Sequence, residues 1–278
     1  MGGGGGVGGS ATSHYLYYSR GWGRGSGSGG GLGVRGLATP HHLYYSRLKN
    51  ASILNAPHAY YLPSKPAKYG LKIFWLTESR TGFALNAKIY TGKDQNGTHR
   101  NLGRDIVMEL SALYHHTGRE IVCDNYFTSH DLATSLLAKG LTLLGTIRAH
   151  RREIPNELRN KKREVGSSVF AFDHLNKIVL VSYIPKRSKN VLLLSSSHSG
   201  DALAPSHGNK PALILDYNAG KAAVDQLDQN VEEFTCRRKT VRWPLVVFYN
   251  LLDVAAYNAY LLMKADDTKV TRKSFLKD

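Results

Sequence analysis

Carboxylates placed where two regular elements end are the residues here whose types and spacing could do chemistry. In EIVCDNYFTS (120–129) a β-branched run stops at Asp124 and is followed at once by residues that can open a helix. LKIFWLT (71–77) likewise ends against Glu78. In AAVDQLDQNVEEF (222–234) the helical period puts Val224, Leu227, Val231 and Phe234 on one face, with Asp225, Asp228 and Glu232 along its flank. Like charges three or four residues apart weaken a helix by a few tenths of a kcal/mol per pair, so such a stripe favours a bound cation. Hard oxygen ligands from separate elements can hold two Mg²⁺ or Mn²⁺ ions about 3.5–4 Å apart and activate water or a hydroxyl at a phosphodiester. Taken singly, each acid also fits a turn or a solvated helix flank.

The elements that must position these acids follow from periodicity. LKIFWLT and FALNAKIY (83–90) read as strands joined at Ser79–Gly82, DIVMELSALYHH (105–116) as a helix, and EIVC as a strand. SHDLATSLLAKG (129–140) has a Ser start and a Gly stop, and LTLLGTI (141–147) is another strand. KIVLVSYI, NVLLLSS and PALILDYN read as three further strands, before two late helices at 222–234 and 244–263. The fold class is therefore mixed α/β.

Residues 1–36 hold 16 of the 28 glycines, so 1–55 is expected to be a disordered leader and 56–278 the folded domain. Within that leader a seven-residue motif occurs twice, HYLYYSR (14–20) and HHLYYSR (41–47), either a local duplication or an aromatic-basic strip able to stack on single-stranded nucleic acid. No signal-peptide pattern is present at the amino terminus. The longest apolar segment is interrupted by Asn250, Asp253 and Asn258, which predicts a buried helix and no membrane partner.

Charge points to polyanions: 37 Lys and Arg against 21 Asp and Glu give +16. Seven of those cations fall in RAHRREIPNELRNKKR (148–163), and Arg237, Arg238, Lys239 and Arg242 follow the acidic helix. Both clusters can be solvated loops, phosphate contacts or nuclear-import signals, and a nuclear location is expected. Cys123 and Cys236 have no ligand spacing, which argues against a disulfide framework and against zinc.

VCDNYFTS, GTIRAHRREIP, VDQLDQ and CRRKTVRWP, in this order, resemble the core of the piggyBac transposases and their domesticated derivatives, and YLPSKPAKYGLKIF (61–74) is similar to that family's lead-in to a strand. The resemblance runs from about residue 56 to 278. It implies a ribonuclease-H-like core with a β-rich insertion at about 150–210, and cut-and-paste cleavage and strand transfer of double-stranded DNA at TTAA, dependent on two Mg²⁺ or Mn²⁺ ions. It further implies that Asp124, Asp225 and Asp228 are catalytic, metal-binding acids, with Glu78 at the first acid position. Arg148, Arg151, Arg152, Arg237, Arg238, Lys239 and Arg242 are implied as DNA contacts, and a homodimer as the assembly. Two residues depart from the pattern: Glu78 stands where Asp is expected, and Ala222-Ala223 where the family has Gly-Gly. The family's zinc module has no counterpart in this sequence. Three readings follow: an active transposase domain with reduced activity, a non-catalytic DNA-binding module, or a non-functional fragment.

Overall fold

A computed structural model describes residues 13–17, 41–49, 60–61, 69–90, 101–240 and 242–277. One ten-stranded sheet runs through it. Its strands are β1 (Ser13–Tyr17), β2 (His41–Lys49), β3 (Tyr60–Tyr61), β4 (Tyr69–Glu78), β5 (Ala84–Tyr90), β6 (Glu120–Cys123), β7 (Thr142–Thr146), β8 (Ser168–Asp173), β9 (Ile178–Lys186) and β10 (Lys189–Ser195). They lie in the order β1-β8-β9-β10-β7-β6-β2-β4-β3, with β5 also on β4. The helices are α1 (Leu102–Leu110), α2 (His130–Leu137), α3 (Asn156–Arg159), α4 (Ala212–Gly220), α5 (Ala223–Glu233), α6 (Trp243–Asp266) and α7 (Arg272–Phe275).

Alternation along the strands sorts the core into two layers, as the period of two requires. Ile121, Cys123, Leu143, Phe74 and Leu76 pack on one face beneath α1 and α2. On the other face, Val122, Leu144 and Phe170 meet Leu213 and Ile214 of α4. Ile73 and Trp75 meet Val224, Leu227 and Val231 of α5, together with Val254 and Tyr257 of α6. The result is a helix–sheet–helix sandwich.

Several expectations change. PALILDYN, read as a strand, is the start of α4. Its apolar run has no decisive period, and only Pro211, which caps the helix, belongs to a strand, a two-residue one. SVFAFD, unassigned by the sequence reading, is β8, buried throughout. The disorder expected for the Gly-rich 1–36 lies outside the described residues apart from Ser13–Tyr17. Inside the 1–55 leader, however, both repeat copies enter strands: the first pairs in parallel with β8, and the second is β2, between β6 and β4. The apolar helix α6 is buried along one face only, through Val246, Val247, Asp253, Val254 and Tyr257, while Leu245, Phe248, Leu251, Leu252, Leu262 and Met263 are exposed. By length and composition it is the one helix among the described residues able to cross a membrane.

Candidate functional site

Asp124 stands where β6 ends, and the turn that follows holds its main chain. Its carbonyl accepts Thr128 N at 3.2 Å and the Thr128 hydroxyl at 2.8 Å. Its carboxylate accepts Tyr126 N at 2.8 Å. Ser129 then caps α2 by accepting Leu132 N at 3.1 Å, so strand, acid and helix start form one rigid unit. Burial pushes the Asp124 carboxyl above its ordinary value, against the backbone N–H groups of Tyr126 and Phe127 and the charges of Arg148 and Lys72.

Three side chains absent from the sequence reading belong to this neighbourhood. Asn125 accepts the Arg148 Nε donor at 3.1 Å, which ties the basic loop to the strand end. Tyr217, from α4, brings its hydroxyl within 3.4 Å of Thr146 Oγ1; Thr146 follows Gly145, which is the partner of Cys123 in the β6–β7 register. Burial, and more weakly the negative charges of Asp124 and Asp225, push the Tyr217 phenol up, against its bond to Thr146. Asp124 and Asp225 thus both act on Tyr217 through their charge. Lys72 is 9 % exposed, with its ammonium 4.5, 5.6 and 4.4 Å from the ring centres of Phe74, Tyr90 and Tyr126. No periodic signal marks a lone Lys inside a strand, but its place among aromatics was visible.

Asp225 occupies the first turn of α5, where the helix N-terminus favours an acid. Asp228 lies one turn further along the exposed flank, about 4–5 Å along the axis. Ala222 has φ −90° and ψ −6°, so the departure from Gly-Gly demands no glycine conformation.

Glu78 is not brought to Asp124. Strand β4 runs antiparallel to β2 while β6 runs parallel to it, so the two strands end pointing in opposite directions, Glu78 level with His41 and Asp124 one residue beyond the Cys123–Leu43 pair. Glu78 pairs with His41, and His41 with Ile121, three residues short of Asp124. Three residues of rise and two strand spacings separate the two backbones by about 14 Å. The Glu78 carboxylate closes its own turn instead, accepting Arg80 N at 2.9 Å, Thr81 N at 2.8 Å and Thr81 Oγ1 at 2.7 Å. Burial opposes the charge, but those bonds prevail and hold its pKa below the ordinary value.

The strands flanking Asp124 supply no replacement, because neither HHLYYSRLK of β2 nor TLLGT of β7 contains a carboxylate. Among the described residues no three His, Cys, Asp or Glu side chains converge on a metal position. As placed here, Glu78, Asp124 and Asp225 form no single cluster of metal ligands.

Of the sequence-assigned basic residues, Arg148, Arg152, Arg237, Arg238, Lys239 and Arg242 are exposed, and Arg151 is half-buried. Two other arginines of the 148–163 stretch do structural work. Arg159 donates to the carbonyls of Arg151 and Ile154 at 2.9 and 2.8 Å, and Arg163 donates to the Ser182 carbonyl at 3.1 Å.

Comparison with known proteins now bears on this geometry. The family described as Transposase IS4 matches residues 52–260. A piggyBac transposase, solved as a synaptic complex with hairpin DNA, superimposes with a TM-score of 0.79 at 36% identity, over 86% of this chain and 51% of that one. The chain belongs to the piggyBac transposase family. A human member, PiggyBac transposable element-derived protein 2, is 26% identical over 220 residues, 71% of this chain. The chain spans 36% of that relative's length, and about half of the piggyBac transposase it matches. Within this piggyBac-type fold the first expected acid, Glu78, lies about 14 Å from Asp124 across the sheet, in a turn whose Gly82 packs on Ala223 and Leu227 of α5.

Proposed function

We propose that this chain is a transposase-derived DNA-binding domain in which strand cleavage has been lost. The observation that supports the reading is the spread of the expected acids: the strands flanking Asp124 bring it no carboxylate, and Glu78 stands about 14 Å from it across the sheet. TTAA-directed cleavage and strand transfer by two Mg²⁺ or Mn²⁺ ions calls for acids gathered from several elements, and among the described residues no three of them gather. DNA binding has support of its own. The net charge is +16, basic residues stand exposed beside Asp124 and between α5 and α6, and the solved relative was captured with DNA. A nuclear location and a homodimer belong to the same reading.

The test is a binding titration of the full chain against duplex DNA at several salt concentrations, beside a nicking assay on a TTAA-flanked duplex with Mg²⁺ and with Mn²⁺. Binding should weaken steeply with salt. Replacing Arg237, Arg238 and Lys239 together by Gln should flatten the log–log slope by roughly 2–3, at about 0.9 per phosphate contact. Nicking by the unaltered chain that Asp124→Asn abolishes would overturn the loss of cleavage; salt-insensitive or absent binding would overturn the DNA reading.

A further inference from the structure

At the edge of the sheet opposite Asp124, a second polar cluster surrounds His198. Its Nε2 lies 2.9 Å from Asp216 Oδ2, on α4. Its Nδ1 lies 2.8 Å from Ser195 Oγ and 3.0 Å from Ser197 Oγ, at the end of β10. Ser197 also donates to the Glu120 carboxylate, at the start of β6. The charged groups facing the imidazole are thus Glu120 and Asp216, with the two serine hydroxyls between them. Ser195 is fully buried and also accepts Ser197 N and His198 N, each at 3.2 Å, so the imidazole is held on a fixed base.

Asp216 is followed directly by Tyr217, which reaches the Asp124 strand end through Thr146. Helix α4 is therefore pinned on two sides by consecutive residues, once to His198 and once beside Asp124. A protonated imidazole donates from both nitrogens, and its bond to Asp216 is charge-assisted; a neutral one keeps a single N–H and loses that assistance.

We propose that His198 is a pH-responsive latch which fixes α4, and through it Tyr217, over the Asp124 strand end. His198 and Asp216 are positioning residues, acting on the site only through Tyr217. The latch is tight while the imidazole carries both protons and loosens when one is lost. Burial raises the Glu120 carboxyl, against the hydrogen bond from Ser197 and the charge of His198. The inference rests on the proposed DNA-binding reading only for its consequence at the site, not for the latch itself.

Amide hydrogen exchange of the full chain, corrected for intrinsic rates, tests the latch without any DNA. Between pH 6 and pH 8 the protection of α4 should fall by about three- to fivefold, the size of a half-exposed ion pair. Asp216→Asn should abolish that change while leaving β9 and β10 protected as in the parent, and His198→Gln, which keeps a donor and an acceptor but cannot titrate, should hold α4 at one protection level across the range. Protection of α4 that is independent of pH in the parent chain, or that changes equally in Asp216→Asn, would sink the proposal. If a variant fails to fold, the ¹³Cζ resonance of Tyr217 in the parent decides: it should titrate together with the His198 ring, and a flat response excludes the latch. A failure of DNA binding would leave these readouts unmoved.

Discussion

Gly145 is the position where one methyl group should do the most damage near Asp124. It lies in β7 opposite Cys123, and an added Cβ would sit 2.2 Å from Thr128 Oγ1, 3.3 Å from Thr128 Cβ and 2.7 Å from the Cys123 carbonyl. Thr128 is fully buried, and its hydroxyl donates to the Asp124 carbonyl. Rotating that hydroxyl away in Gly145→Ala sacrifices a buried hydrogen bond, about 1 kcal/mol. The Cys123 oxygen moves only with its strand, and overpacking of that kind costs about 1–3 kcal/mol. The sum is about 2–4 kcal/mol, and at 2–4 °C per kcal/mol for a domain of this size the midpoint should drop by roughly 4–16 °C. Thermal melts and urea titrations of Gly145→Ala, Thr128→Ala and the double variant measure it. The double variant should be less damaged than the two singles summed, since removing the hydroxyl relieves one of the clashes. A Gly145→Ala protein melting within a degree of its parent, or strictly additive effects, would refute the packing described here.

Other outcomes follow from the same geometry. Asp253 is buried at 5 % exposure and accepts Thr235 Oγ1 at 2.6 Å and Cys236 N at 2.8 Å; Asp253→Ala should cost about 2–4 kcal/mol in urea unfolding, by stranding those donors and loosening the α5–α6 connection. Glu78→Asp should create no nicking activity and should cost about 1 kcal/mol, because the shorter acid leaves turn donors unpaired; a gain of Mg²⁺-dependent nicking would return Glu78 to the site. Burial alone would raise the Asp173 carboxyl, but bonds from Asn176 and His130 outweigh it and hold the group below its ordinary 3.8. A lowered folded-state value means the stabilisation is full at neutral pH and fades as pH falls below about 3.8; the stability gap between the parent and Asp173→Asn, measured by urea at pH 7 and pH 3, should accordingly shrink in acid.

Local signals carried much of this fold. Asp124 was legible because a β-branched run, an acid and a Ser N-cap follow one another within ten residues. Val224, Leu227 and Val231 were legible from their helical spacing, and all three are buried. The separation of Glu78 from Asp124 is something no local pattern can reveal. An acid at a strand end is placed at one sheet edge or the other by strand direction, and direction follows from long-range pairing. The run LILDY fits a strand or a helix equally, and packing of Leu213 and Ile214 on Val122 and Leu144 decides for the helix. Tyr217 went unnoticed because its role depends on that decision.

Strand β2 has a consequence for how the domain can be cut. The family match begins at residue 52, yet His41–Lys49 fills the slot between β4 and β6. A fragment trimmed to the matched region would split the sheet into two halves and bare two rows of unpaired N–H and C=O groups, the kind of edge that templates aggregation. The family model's match starts after this strand; the sheet that it completes starts before it.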